Sequence, residues 1–294
     1  MDSRQAGPIQ FIPGENRGKY PNSHSIFVES AGILIDAGAR RESLKELKAT
    51  ETITAVWLSH WHEDHTAHLD LFNDVPVYIS QVDAPPLTDI ETILDYYGVE
   101  QEFRQHWRHF LKEQLKIQPR TPDSYLQPGQ VMDLGATSVE ILSTPGHTPG
   151  HLAFFFKEAG VVFMGDYDLG KFGPWYGDTD SSIEQTIASV ESLRSLPASV
   201  WITSHETGFF EKNPGDLWDA YLGVIQKRED KLLAFLEKPR TLQEIVQASF
   251  VYFKPREPRA FFEYGERAHM EKHLQRLQKK GIAACADNLY YLCS

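Results

Sequence analysis

Short apolar runs bounded by turn residues recur along the first two thirds of the chain and predict β-strands. Two of these strands, at 24–29 and 32–38, are expected to form a hairpin around Ser30 and Ala31. The whole predicted set covers residues 9–12, 24–29, 32–38, 53–59, 75–80, 131–143, 151–157, 159–165 and 199–204.

Apolar residues at spacings of three and four predict helices between these strands. Helices are expected over residues 41–50, 87–97 and 100–115, and in a segment that begins at Ser181-Ser-Ile-Glu184, a capping-box sequence. The helices at 87–97 and 100–115 belong to an insertion of residues 83–130 between two strands. Such an insertion forms a lid or a pocket wall, or else only covers the core, and the sequence leaves both open.

The pattern becomes helical after Pro214. Helices are predicted over residues 217–237, 241–250 and 261–280, and a hairpin over residues 282–292. A second capping box, Thr241-Leu-Gln-Glu244, opens the middle helix. We therefore expect a first domain of residues 1–212 and a helical C-terminal region of residues 213–294.

The strand at 53–59 is followed at once by a segment rich in metal-ligand side chains, His60-Trp-His-Glu-Asp-His65. Imidazole nitrogen and carboxylate oxygen are ligands of divalent transition metals such as zinc and iron. Because His60 and His62 alternate by two, they project to the same side of an extended segment. Asp64 and His65 then turn towards a second point, so this one segment could serve two metals.

This HxHxDH sequence after a strand resembles the motif of the metallo-β-lactamase-fold hydrolases. Three later segments, which contain His147, Asp166 and His205, follow in the order that the family has. The resemblance covers about residues 9–210. It implies an α/β fold, the four-layer αββα sandwich, with a small helical C-terminal region. Helix, helix and hairpin at the C-terminus resemble the winged-helix module that some hydrolytic members carry.

The resemblance also implies a ligand set for two divalent ions, zinc first, with iron or manganese as alternatives. The matching residues are His60, His62 and His147 for the first metal, Asp64, His65 and His205 for the second, and Asp166 as the carboxylate that bridges them. Asp64 would in addition orient the nucleophile, a hydroxide that bridges the two metals.

The segment 167–177 leaves the bridging Asp166 directly and is rich in glycine and aromatic residues. It should therefore stand over the metals, where Phe172, Trp175 and Tyr176 would form an apolar floor for a substrate. A loop that is merely packed is the alternative. His24, in a turn before the second predicted strand, is a further candidate for the pocket.

These features predict a binuclear metal-dependent hydrolase of a small-molecule ester, thioester, lactone or phosphodiester. One alternative is an enzyme that resembles the mononuclear iron persulfide dioxygenases of the same fold, for which His60, His62, His147 and Asp166 would suffice. Another is a non-enzymatic, metal-stabilised module whose C-terminus binds nucleic acid through the basic residues Arg276, Lys279 and Lys280.

Composition and net charge limit the classes of binding partner that we expect. The chain has 294 residues and a net charge of −12, which argues against a nucleic-acid partner. The first residues lack the apolar stretch of an export signal and no run is long enough to span a membrane, so we expect a cytoplasmic protein with no membrane partner. Its partner would be a small-molecule substrate, and a homodimer stays open. The two cysteines, Cys285 and Cys293, predict no disulfide framework.

Overall fold

Two β-sheets share an apolar core in this computed structural model, which describes residues 2–293. The first sheet has seven strands in chain order, antiparallel from β1 to β4 and parallel from β4 to β7. These strands are β1 Arg4–Ala6, β2 Ile9–Ile12, β3 Ser25–Val28, β4 Ile33–Ile35, β5 Ala55–Trp57, β6 Val77–Ser80 and β7 Ser124–Leu126.

The second sheet has six strands in the order β13-β12-β11-β10-β9-β8. Its strands are β8 Val131–Asp133, β9 Ser138–Ser143, β10 Leu152–Phe156, β11 Val161–Phe163, β12 Val200–Ile202 and β13 Phe209–Phe210. Only β11 and β12 pair in parallel. Every residue of β10, Leu-Ala-Phe-Phe-Phe, is buried because both faces of this sheet are covered.

Helices cover the outer face of each sheet and complete four layers. Between the sheets, the rings of Trp57 and Phe154 lie 5.9 Å apart. The helices are α1 Arg41–Thr50, α2 Glu63–Thr66, α3 Pro85–Thr88, α4 Ile90–Tyr96, α5 Arg104–His109, α6 Ile183–Arg194, α7 Leu217–Phe235, α8 Leu242–Gln247 and α9 Arg259–Lys279. Leu44 and Leu47 of α1 pack on the first sheet, and Val190 and Leu193 of α6 on the second. The predicted αββα sandwich is thus confirmed.

Several predicted elements have different bounds. The strand predicted at 131–143 is two strands, because a turn closed by a hydrogen bond from Leu134 N to Thr137 O separates β8 from β9. The helix predicted at 87–97 is broken at Asp89, whose φ of −159° is extended. The helix predicted at 100–115 begins at Arg104 and continues as a π-helical turn over Phe110–Gln114.

The two capping boxes have different outcomes. The box predicted at Ser181 is wrong by one residue, since the N-cap is Ser182 and its hydroxyl accepts from the backbone N–H of Gln185. The box at Thr241 and Glu244 is confirmed, with both of its reciprocal hydrogen bonds present.

The C-terminal region packs against the first part of the chain. The Tyr264 hydroxyl donates to the carbonyl of Tyr97 at 2.8 Å, and Arg276 pairs with Glu184 at 2.6 Å. Helices α7 to α9 are followed by the predicted hairpin, β14 Ala283–Ala286 and β15 Leu289–Leu292. The division at 212/213 and the winged-helix likeness stay predictions. Among residues 2–293, no helix has the length and apolar character needed to cross a membrane.

A buried guanidinium fixes the loop that follows β11. Arg228 of α7 is 3% exposed and donates to the carbonyl of Phe172 at 2.7 Å, the carbonyl of Pro174 at 3.2 Å and the hydroxyl of Tyr176 at 3.0 Å. The central carbon of the guanidinium group, Cζ, also lies 4.8 Å from the centre of the Phe172 ring. The position of this loop therefore depends on one side chain of the C-terminal region.

We predict that Arg228→Met lowers the free energy of unfolding by about 2–4 kcal/mol, since it leaves buried acceptors without a donor. Arg194→Met is the matched control, because Arg194 forms an ion pair with Asp219 at the surface and its loss should cost less than about 1 kcal/mol. Urea denaturation measures both changes. Equal, small effects of the two substitutions would show that the Arg228 contacts do not stabilise the fold.

Candidate metal centre

Four strand ends bring metal-ligand side chains to one edge of the sandwich. The segment from His60 to His65 follows β5, and His147 lies in the turn between β9 and β10. Asp166 follows β11 and His205 follows β12. Loops at strand ends can carry polar side chains without disturbing the apolar core, which is why sites are commonly built there.

The first cluster consists of three imidazoles and a carboxylate. His60 Nε2 lies 3.0 Å from His62 Nδ1 and 3.1 Å from His147 Nε2, and the last two atoms are 2.9 Å apart. Asp166 Oδ2 completes the group at 3.4 Å from His147 Nε2. Ligand atoms around one tetrahedral zinc ion stand about 3.3 Å from one another, so these separations fit a single ion.

The second cluster lies beside the first and shares Asp166. His65 Nε2 and His205 Nε2 lie 2.9 Å and 3.1 Å from Asp166 Oδ1. Asp64 Oδ2 lies 3.4 Å from His205 Nε2. Asp166 thus lies between the clusters, with Oδ2 near His147, Oδ1 near His65, and both oxygens near His205, at 3.1 Å and 3.2 Å.

The hydrogen bonds around the clusters leave one nitrogen of each histidine for a metal. His60 Nδ1 donates to the Ser59 hydroxyl at 3.0 Å, His62 Nε2 to Asp178 at 2.7 Å and His65 Nδ1 to Asp36 at 2.8 Å. His147 Nδ1 donates to the Trp175 carbonyl at 3.1 Å, and His205 Nδ1 to the Gly18 carbonyl. In each ring the other nitrogen faces the cluster, which is the arrangement of metal-ligating histidines.

Two buried atoms without a hydrogen-bond partner test whether a metal fits. Among the described residues, His65 Nε2 and Asp166 Oδ1 are buried and make no hydrogen bond, although only 2.9 Å separates them. A buried polar atom left unpaired costs about 1–3 kcal/mol, and two at one point call for a ligand. The donor set fits a divalent ion there.

The pKa values of histidines in the two clusters also fit a divalent ion. Burial holds the pKa of His60 well below its usual range and lowers that of His147 to about 4, so these imidazoles are neutral. Burial also acts on His205, but Asp166 and Asp64 outweigh it and raise its pKa to about 10. Without a metal, the carboxylates of the second cluster therefore keep a proton on His205, which a divalent cation would displace.

A buried carboxylate supports both clusters from behind. Asp36 accepts from the backbone N–H and the hydroxyl of Ser59, each at 2.8 Å, and from His65 at 2.8 Å. Ser59 in turn accepts from His60. One carboxylate therefore orients a ligand in each cluster.

A second carboxylate connects the first cluster to the loop after β11. Asp178 accepts from His62 at 2.7 Å and from the Trp175 indole N–H at 2.8 Å. The Trp175 carbonyl also accepts from His147. Since Arg228 fixes this loop, its position bears on two ligands of the first cluster.

The clusters form the floor of a cavity of about 440 Å³. The floor residues are His62, Asp64, His147, Asp166 and His205, and aromatic side chains make up much of the wall. Phe172 and Trp175, which were expected in an apolar floor, lie on this wall with Tyr97 and Trp107 from the insertion. The insertion therefore does form a pocket wall.

Two predicted pocket residues lie elsewhere. His24 is fully buried, where its Nδ1 accepts from the Gly14 N–H at 2.8 Å, and burial lowers its pKa to about 3. Tyr176 is fully buried with its hydroxyl between His273 and Arg228. Both stand outside the cavity wall, because tertiary contacts turn their side chains into the protein.

Sequence reasoning missed several residues of the site. Asp36 follows β4 as Asp166 follows β11, but the strand predicted at 32–38 runs through Asp36, so this strand end was not recognised. Asp178 had no such signal, since it lies 116 residues from its partner His62. Glu63, within the motif itself, accepts from the hydroxyls of Tyr20 at 2.6 Å and Tyr97 at 2.5 Å on the cavity wall.

Comparisons with known proteins agree with this geometry. The family model described as the metallo-beta-lactamase superfamily matches residues 18–205. A probable metallo-hydrolase of Streptococcus pyogenes is 29% identical over 199 residues, which are 64% of this chain and 77% of that protein. The atrochrysone carboxyl ACP thioesterase of Aspergillus fumigatus is 24% identical, over 76% of this chain and 62% of its own length.

Structural similarity extends over almost the whole chain. A metallo-beta-lactamase family protein from Thermus thermophilus superposes with a TM-score of 0.71 at 22% identity. The match covers 97% of this chain and 99% of that one, so the fold of the C-terminal region is shared as well. The family match, together with the two clusters joined by Asp166, shows that this chain belongs to the metallo-beta-lactamase superfamily and carries the ligand set of a metal-dependent hydrolase.

Proposed function

We propose that this protein hydrolyses a small-molecule thioester or ester with two divalent metal ions. The main support for the proposal is the shared carboxylate: Asp166 lies between two buried ligand clusters, with Oδ2 near His147 and Oδ1 near His65. His60, His62 and His147 would hold one ion, Asp64, His65 and His205 the other, and Asp166 both. Zinc suits this nitrogen and oxygen donor set, and iron and manganese are the alternatives.

When bound, such ions supply a nucleophile at neutral pH by lowering the pKa of water, and they polarise the carbonyl that is attacked. Side chains of the protein would orient the attacking water and exclude bulk solvent. Asp64 lies on the cavity floor, where its carboxylate can orient the attacking water. Tyr20 and Tyr97 hold Glu63 at the wall, and the aromatic side chains exclude bulk water from the acyl group.

A thioester or ester is favoured over the other candidate bonds by two observations. The thioesterase from Aspergillus fumigatus matches over 76% of this chain. In addition, the lysine and arginine side chains of the cavity lining are Lys19 and Arg256, and Lys19 lies 3.6 Å from Glu206. A phosphodiester would be expected to meet a denser cationic wall. Lactone hydrolysis uses the same chemistry as ester hydrolysis and belongs in the substrate panel.

The single-iron alternative is less well supported. It needs the first cluster alone and gives no role to Asp64, His65 and His205, which form a second buried group of ligand atoms.

Nucleic-acid binding through α9 is also less well supported. Arg276 is occupied by Glu229 and Glu184, both at 2.6 Å, and is therefore not free for a phosphate. The buried His273 likewise pairs with Glu229. We propose that α9 serves the cavity instead, because its residues Phe261 and Tyr264 line the wall.

We predict two bound ions in the wild type and about one in each of two variants. His62→Ala removes a ligand of the first cluster only, and His205→Ala removes one of the second only. Plasma mass spectrometry of the protein after zinc loading and dialysis gives the ratio. Both variants should lose the hydrolysis of an acetyl thioester. One ion in the wild type, lost in His62→Ala and kept in His205→Ala, would favour the mononuclear alternative.

We predict that Asp178→Asn weakens metal binding by about 10–100-fold, because an amide is a poorer acceptor for the His62 N–H. Asp180→Asn is the matched control, since Asp180 is exposed two residues away and should keep the wild-type affinity. Competition with a chromophoric zinc chelator measures both dissociation constants. Equal metal affinities in the two variants would show that Asp178 does not strengthen metal binding.

A further inference from the structure

Eight aromatic side chains line the cavity above the metal ligands. They come from the N-terminal turn, the insertion, the loop after β11 and the C-terminal region, four parts of the chain that are distant in sequence. The residues are Tyr20, Tyr97, Trp107, Phe172, Trp175, Tyr252, Phe261 and Tyr264. We refer to them as the aromatic wall.

Part of the aromatic wall is left exposed. Phe172 is 38% exposed and Tyr20 is 41% exposed, although both belong to a cavity. Trp175, Phe261 and Tyr264 are only partly buried. Single exposed apolar residues are ordinary on a protein surface, but several partly exposed rings grouped in one cavity mark a ligand site.

The rings of the aromatic wall hold one another in place. Phe261 stacks on Trp107, with ring centres 5.7 Å apart, and on Tyr20, at 5.9 Å. The edge of Tyr264 meets Trp107 at 5.1 Å. The wall is therefore pre-ordered, and rings of this kind bind a further aromatic ring by offset stacking or by an edge contact.

The size of the cavity limits what can lie against the wall. An apolar cavity of about 150 Å³ accommodates benzene. The cavity here has about 440 Å³, part of which must hold the reacting group above the floor. The remaining space suits two or three fused rings better than a single small acyl group.

We propose that the substrate's acyl group is a flat, fused-ring aromatic system that lies against the aromatic wall, with its carbonyl carbon at the metal floor. This rests on the proposed thioester or ester hydrolysis at the same site. Water adds to the acyl carbon, the bond to sulfur or oxygen breaks, and the products are an aromatic carboxylate and a thiol or alcohol. No further reactant is needed.

The kinetic test uses three thioesters with one leaving group, N-acetylcysteamine. The acyl groups are 2-naphthoyl, which is flat, decahydro-2-naphthoyl, which has a similar apolar size but is not flat, and acetyl. Thiol release gives kcat/KM, which is divided by the alkaline hydrolysis rate of each compound. We expect 2-naphthoyl to exceed decahydro-2-naphthoyl by about tenfold, the value of one or two aromatic contacts.

A binding test separates this inference from the proposed hydrolysis. The zinc-loaded protein is titrated with 2-acetonaphthone and with its decahydro analogue, neither of which can be hydrolysed, and binding is followed by calorimetry. We expect the aromatic ketone to bind about tenfold more tightly. If the aromatic ketone binds more tightly while the zinc-loaded protein cleaves no thioester, the aromatic preference of the wall is confirmed and the proposed hydrolysis is wrong. Cleavage with no aromatic preference in either test overturns the present inference and leaves the hydrolysis standing.

Variants locate the preference on the wall. Phe172→Leu and Phe261→Leu keep apolar side chains but remove a ring, so each should weaken 2-acetonaphthone binding by about tenfold. Phe253→Leu is the matched control, since Phe253 is 71% exposed and lies outside the wall, and it should bind as the wild type does. Unchanged affinity in both wall variants would overturn the inference, even if the protein prefers aromatic ligands.

Discussion

The structure depends on placing a dense group of ionisable side chains at one edge of an apolar sandwich. Five imidazoles and two carboxylates converge there, nearly all of them buried. Such a group is unfavourable in a low-dielectric surrounding unless its charges and lone pairs are matched. The histidines are matched on their outer side by Asp36, Asp178, Ser59 and backbone carbonyls. On the inner side the imidazole nitrogens and the carboxylate oxygens face one another, and the divalent ions that we propose would match them.

The C-terminal region contributes to this site through two physical connections. Arg228 fixes the loop after β11, whose Trp175 accepts from His147 and donates to Asp178, so that a change at α7 can reach two metal ligands. Helix α9 supplies Phe261 and Tyr264 to the aromatic wall. Side chains of the C-terminal region therefore line the cavity above the two clusters.

The HxHxDH segment after a strand is a local signal that the sequence shows directly. The resemblance to the family is what identifies His147, Asp166 and His205, each of which also follows a strand. Residues brought in by tertiary packing carry no such signal. Trp107 and Phe261 stack although Phe261 lies 154 residues after Trp107, and each alone has the pattern of an ordinary helix face. His24 shows the converse error, since this polar turn residue, expected in the pocket, is buried against Phe11.

Anomalous scattering at the zinc absorption edge, from a crystal of the zinc-loaded protein, would locate the metal ions. We expect two anomalous peaks, one among His60, His62 and His147 and the other among Asp64, His65 and His205, with Asp166 in contact with both. A single peak, or a second peak anywhere other than beside Asp64, His65 and His205, would contradict the claim that this cavity holds two metal ions through a shared carboxylate.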